Sequence, residues 1–268
     1  MHVAGYLEVF LAALAAGVLA TVAAGASLAL PATLVPRLVS FAVGALLGAV
    51  FVELLPDALA RGDPQAVMAT VLAGLLAFFL LEKLVLWRHS HGDAPHDDAR
   101  DETEHAHAMH TAHAHGHDQG RSGLMILIGN SVHNVCDGIV IAAAFLADSR
   151  LGLVTTLAIV AHALPQQIGD FAVLLHSGYT RGRAFAVNVA TGVATLAGAT
   201  AGYFALAAMA GILPTVLAIA SASLLYVAVA DLIPSLHRRP EPLETLKQML
   251  LIVSGVAVIA LVHLALEP

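Results

Sequence analysis

Cysteine is nearly absent. The chain has 268 residues and one cysteine, Cys136, so no disulfide can form within it. Charge is scarce as well. Asp, Glu, Lys and Arg make up 12% of the residues, against about 25% in soluble domains. Positive charge is missing from the stretch Met1 to Val9. A secretory signal peptide carries a positive start, so the first apolar run is expected to be retained, with its N-terminus outside. What remains is apolar: 59% of the chain is hydrophobic and the mean hydropathy is +0.83. The fold class is therefore an all-α polytopic membrane protein, with the lipid bilayer as its first partner. The formal charge of −7 comes mostly from one hydrophilic loop and identifies no partner; nucleic acid is not expected.

Apolar runs of about 20 residues are long enough to cross the hydrocarbon layer as helices. Eight are expected, over 5–30, 37–60, 66–88, 122–147, 151–177, 183–211, 213–235 and 246–266. The chain divides into 1–88 with three spans, a polar loop 89–121, 122–177 with spans four and five, and 178–268 with the last three. Lys and Arg favour the cytosolic side. With the N-terminus outside, Arg37, Lys83, Arg88, Arg100, Arg121, Arg181, Arg183, Arg238, Arg239 and Lys247 fall inside, and Arg61 and Arg150 outside. Both termini are then outside, in the plasma membrane, expected to be that of a bacterium, and the 89–121 loop is cytosolic.

That loop holds His89, His91, His96, His105, His107, His110, His113, His115 and His117 among many acids. With almost no apolar bulk it is expected to be disordered. Histidine tracts bind metal by composition. His105, His107, His110, His113, His115 and His117 read as a weak, fast-exchanging metal sink or sensor, not a fixed tetrahedral site.

The chain also repeats itself. Residues 46–57 of the second span match 224–235 of the seventh, aligning Glu53 with Asp231, Pro56 with Pro234 and, further on, Arg61 with Arg239. The two spans run in opposite directions, so the repeat is inverted, as in many secondary transporters with midplane sites. Glu53 reads either as a pathway acid or as a group at the membrane edge. Asp57 is expected in water, and Asp231 deeper, in a hydrogen-bonded or pathway role. His176, His237 and His263 lie near span ends and read as interfacial.

Spans four and five carry polar residues that insertion into a membrane penalises by about 2.5–3.5 kcal/mol each when ionisable. His133 and Asp137 stand at i, i+4 and share a helix face, with Asn134 beside them; His162 and Gln166 share a face of the next span. Two imidazoles, a carboxylate and two amide oxygens suit a borderline divalent ion such as Zn²⁺, Fe²⁺ or Mn²⁺. The alternative is a set of interhelical hydrogen bonds. Cys136 sits about 100° from Asp137 on the helix and reads either as apolar filler or as a soft ligand. Pro165 should bend the fifth span and turn the carbonyl of Ala161 toward a cavity.

His133-Asn134-x-x-Asp137-Gly138, His162-x-x-Pro165-x-x-x-Gly169-Asp170 and the His-rich third loop together resemble the ZIP (Zrt/Irt-like) family of divalent metal transporters, over all eight spans. The resemblance implies transport of Zn²⁺ into the cytosol by alternating access, with Fe²⁺, Mn²⁺ or Cd²⁺ possible as further substrates. It implies a 3+2+3 helix arrangement and a homodimer. It maps the metal ligands to His133, Asn134, Asp137, His162 and Gln166. Apart from the resemblance, Gln167, Asp170, Glu53 and Asp231 are read as pathway or supporting groups. The chain departs from the family's fifth-span pattern, His-Glu-x-Pro-His-Glu-x-Gly-Asp, at Ala163, Gln166 and Gln167. The sixth span offers only Asn188 and Thr191 near that level. One ion per site is therefore expected, not two.

Three other readings compete. A cation-diffusion-facilitator-like exporter also uses His-x-x-x-Asp on a span, but has six spans and a C-terminal soluble domain. A ZIP homologue that binds metal and transports poorly fits the same departures. An intramembrane zinc protease needs His-Glu-x-x-His, and His162-Ala163-Leu164-Pro165-Gln166 lacks both the glutamate and the second histidine, so an enzyme is not expected.

Overall fold

The computed structural model describes residues 3–27, 34–90, 121–236 and 241–266. Eight membrane-length helices account for almost all of them. They are α1 (Val3–Ala26), α2 (Leu34–Arg61), α3 (Pro64–Ser90), α4 (Arg121–Ala147), α5 (Ser149–His176), α6 (Arg181–Ala207), α7 (Leu213–Leu236) and α8 (Pro242–Leu266), with a short 3₁₀ turn, Ala210–Ile212, before α7. The loop histidines from His91 to His117, and His237, lie outside the described residues.

Local chemistry sets the helix ends. Asp148 breaks α4 from α5, and its Oδ1 accepts the N–H groups of Arg150 and Leu151, which otherwise have no partner in a first turn. Asp63 does the same for α3, accepting from Ala66 N–H at 2.9 Å just before Pro64. Between α5 and α6 the chain turns at Gly178, whose φ of 86° is open to glycine at little cost.

Two helices are not uniform. In α2 the stretch Ala49–Leu54 is a π-helical turn, and in α7 so is Val227–Leu232. Each lies two residues before a proline, Pro56 or Pro234. A proline gives no N–H to the turn before it, and its ring crowds the carbonyl four residues back. Both helices widen there: Leu55 N–H reaches Val50 O, and Ile233 N–H reaches Ala228 O, five residues back. By contrast, α5 runs as one helix through Pro165.

The π turns occupy the same place in the repeat. A step of 178 residues carries Ala49–Leu54 onto Val227–Leu232 and Glu53 onto Asp231. The same step relates the packing. Where α2 meets α8, a Cβ on Gly44 would collide with the Ile252 carbonyl. Where α7 meets α3, a Cβ on Gly74 would come within 2.7 Å of the Ala222 side chain. Residue 222 is 178 beyond 44, and residue 252 is 178 beyond 74. An ungapped repeat thus covers α2–α3 and α7–α8, and the alternation of spans makes it inverted. Helices α1 and α6 meet at Gly17 and Gly192, and α4 and α5 lie between the two sets of three. Without a hydrophobic drive between helices in lipid, such close approaches on small residues are what hold them together.

The outward faces of α3 and α8 are apolar. Leu72, Leu76, Leu250 and Leu261 are each more than half exposed, as expected where lipid is the solvent.

Candidate metal site

Helix α4 is positioned for close approach. A Cβ on Gly138 would run into the Thr195 carbonyl, and one on Gly198 into the Val135 carbonyl. This brings α4 against α6 at the level of Asp137. On its other side α4 faces α5, and there the polar residues of both helices converge.

His133 Nε2, His162 Nε2 and Asp137 Oδ2 form a nearly equilateral triangle. The two imidazole nitrogens are 3.3 Å apart, and the carboxylate oxygen is 3.5 Å from His133 and 3.3 Å from His162. For ligands about 2.0–2.1 Å from a tetrahedral ion, neighbouring donors lie about 3.4 Å apart, so the triangle has the size of one tetrahedral face. Asp137 is 1% exposed and His162 also 1%. Asp137 Oδ1 has no hydrogen-bond partner among the described residues. A carboxylate with that little solvation needs a cation beside it.

His162 Nδ1 lies 3.2 Å from the Ala158 carbonyl, which only accepts, so a metal ion on Nε2 would leave the proton on Nδ1 with a partner. Backbone orientation of this kind is usual for metal-ligating histidines. The three residues are the one group of His, Cys, Asp and Glu side chains with this spacing among the described residues. Cys136 is partly buried and not part of it.

The other expected ligands sit differently. Asn134 is buried, and its amide is engaged at both ends: Oδ1 accepts from Thr195 Oγ1 at 2.9 Å, and Nδ2 donates to the Asn130 carbonyl at 2.8 Å. It ties α4 to α6 behind the triangle. Gln166 lies one turn beyond His162 on the same face and is partly exposed. Gln167 is 2% exposed, and neither atom of its amide has a hydrogen-bond partner among the described residues. Asp170 Oδ2 accepts a short hydrogen bond from Asn130 Nδ2, extending the polar seam between α4 and α5. Ala163 is buried and offers no ligand atom. Asn188 and Thr191 of α6 are buried and bonded to their own helix.

Glu53 lies away from this triangle, in the π turn of α2. It is 9% exposed, and His263 Nδ1 donates to its Oε1 at 2.7 Å. His263 reads from sequence as an interfacial residue near a span end. A separation of 210 residues from Glu53 hides the pairing in the sequence. Asp57 is bound by Arg61 at 2.6 Å, and Arg61 also donates to the Ala147 carbonyl at the end of α4. Asp231 holds the matching place in the π turn of α7.

Comparison with known proteins gives the family. The sequence profile described as "Zip: ZIP Zinc transporter" matches residues 3–263. Zinc transporter ZIP13 of Mus musculus is 34% identical over 261 residues, covering 86% of this chain and 70% of the mouse protein. Zinc transporter ZIP13 of Homo sapiens is 31% identical over 268 residues, covering 86% and 71%. The Zinc transporter ZIP13 homolog of Drosophila melanogaster is 28% identical over 277 residues, covering 86% of this chain and 78% of the fly protein. A profile match over nearly the whole length and relatives above 30% identity place the chain in the ZIP zinc transporter family.

Proposed function

We propose that this chain carries Zn²⁺ through the membrane into the cytosol by alternating access, binding one ion at a time to His133, Asp137 and His162. Membership of a zinc transporter family supports zinc transport itself. The single observation behind the site is the buried triangle of donors 3.3–3.5 Å apart. A tetrahedral ion on that triangle takes its fourth ligand from water or a nearby amide, and Gln166 and Gln167 are the candidates on α5. Asn134 acts by holding α4 against α6. Asp170 and Asp231 are pathway groups toward the cytosol in this reading.

The ion makes crossing feasible. An ionised Asp137 alone is costly in the bilayer, and a bound divalent cation offsets that charge. One ion per site is supported by Ala163, by the uncharged Asn188 and Thr191, and by the single cluster of ligating side chains among the described residues. Fe²⁺, Mn²⁺ and Cd²⁺ are further candidate substrates, since an N/O donor set does not exclude them. The resemblance adds a homodimer, which light scattering on the purified protein tests.

The direction rests on the placement of Lys and Arg, with both termini outside. The relatives named above are animal proteins, so a bacterial plasma membrane draws no support from them. Cells expressing the chain should accumulate ⁶⁵Zn²⁺; net export would reverse the proposal. Labelling of a cysteine placed beyond Leu266 by an impermeant maleimide on intact cells tests the orientation.

A further inference from the structure

A second group of metal-ligating side chains faces a cavity at the other end of α5. The cavity, of about 240 Å³, lies where α2 and α8 end and α5 begins, the outer side in the proposed orientation. Glu53, Asp57, Asp148 and His263 line it, with Arg61 and Arg150. Three carboxylates face two guanidinium groups, so the cavity favours cations. Asp57 and Asp148 are already engaged, by Arg61 and by the first turn of α5. His263 and Glu53 are paired with each other across two helices.

The pairing has a chemical consequence. With Nδ1–H given to the Glu53 carboxylate, the neutral imidazole carries its lone pair on Nε2. A carboxylate behind a histidine in this way fixes its orientation as a metal ligand. The His263 side chain is about a third exposed, whereas that of Glu53 is 10% exposed, so the imidazole is the member of the pair presented to the cavity.

The cavity is also in line with the buried triangle. On each of three helices the residue one turn deeper than a lining residue belongs to a single apolar layer. Ala49 follows Glu53 on α2, Ala158 follows Val154 on α5, and Ile259 follows His263 on α8. All three layer residues are 0% exposed. One turn beyond Ala158 stands His162. At 1.5 Å per residue, Val154 and His162 are about 12 Å apart along α5.

We propose that His263, held through Nδ1 by Glu53, is a direct ligand for a divalent transition-metal cation in this cavity, an entry stop one apolar layer short of His133, Asp137 and His162. The donors are not drawn together as in the triangle, so the ion keeps most of its water and binds weakly. The order of the two stops rests on the transport reading above; the site itself does not.

Crystals of the full chain soaked in Cd²⁺ test it, read by anomalous difference density. Two peaks are expected, one in the triangle and one at His263 Nε2. The substitution His263→Ala should remove the second and keep the first. In ⁶⁵Zn²⁺ uptake the same variant should raise KM about tenfold or more, since even loss of a group that only supports a ligand costs about tenfold in metal affinity, and leave kcat within twofold. Glu53→Gln, which keeps an acceptor for Nδ1–H, should raise KM less. A purely structural pair would instead lower kcat or the yield of folded protein and give no density. No peak at His263 with the triangle occupied, or an unchanged KM in His263→Ala, overturns the proposal. A peak at His263 in a protein without flux upholds the site and removes the transport reading instead.

Discussion

Asp137 Oδ2 lies 3.3 Å from His162 Nε2 across the seam between α4 and α5. The oxygen is also 3.5 Å from His133 Nε2 on its own helix. One carboxylate, itself almost fully buried, thus joins two imidazoles on two spans. Zinc should therefore stabilise the fold through these residues. A ligand that binds only the native state at about 100 times its Kd contributes about 2.7 kcal/mol. Wild-type protein should show a clear rise in melting temperature with Zn²⁺. Asp137→Ala should lose most of that rise, and equal shifts in both proteins would count against the triangle as the binding site.

Ala163 is where the chain could be made to hold more. It is buried on α5, one residue past His162. Introducing Ala163→Glu supplies a carboxylate beside the triangle. With the loop histidines replaced by serine to silence their binding, stoichiometry by equilibrium dialysis should rise from one strongly bound Zn²⁺ to two. Two in the parent already would contradict the single-ion reading.

Gly198 sets the distance between α4 and α6. A Cβ there would collide with the Val135 carbonyl, and backbone cannot yield as a side chain does. Overpacking costs about 1–3 kcal/mol, so Gly198→Ala should lower thermal stability and, by displacing α4, weaken zinc binding. Gly182, also on α6, has nothing within 4 Å of an added Cβ. Gly182→Ala should be neutral or slightly stabilising, since alanine is the better helix former by about 1 kcal/mol. Similar losses in both would mean that the close crossing at Gly198 is not what sets the cost.

Gln167 carries two buried amide atoms without hydrogen-bond partners among the described residues. Replacing such a group by an apolar one of similar shape is close to neutral or stabilising. Gln167→Leu should therefore keep or raise the melting temperature while lowering zinc uptake, if the amide serves the ion or its water. Unchanged uptake would assign Gln167 to packing alone.

Much of this was legible in the sequence because the bilayer imposes length. Runs such as 37–60 and 151–177 correspond to Leu34–Arg61 and Ser149–His176 within a few residues, since a helix must span a fixed thickness. The pairing of His133 with Asp137 was legible because i, i+4 residues share a face, and the convergence with His162 because Asp148 leaves α4 and α5 no room to separate. The widened turns were less legible. Pro56 and Pro234 marked them, yet Pro165 carries the same chemistry and α5 continues through it as a single helix. Position in the repeat, not proline alone, distinguishes them. The engagement of Asn134 was hidden for another reason: its place beside His133 and Asp137 reads as a third ligand, and the hydrogen bond its amide oxygen accepts from Thr195, 61 residues away, is visible only in the fold.

The most direct measurement is ⁶⁵Zn²⁺ uptake into proteoliposomes with an inward zinc gradient, comparing wild type with His133→Ala/Asp137→Ala, both shown to be folded. Saturable uptake by wild type, reduced to the level of empty liposomes in the double variant, is the predicted result. Equal flux through both proteins would contradict the central claim that zinc crosses by way of this triangle, and no flux through a folded, zinc-binding wild type would make the chain a metal-binding member of the family that does not transport.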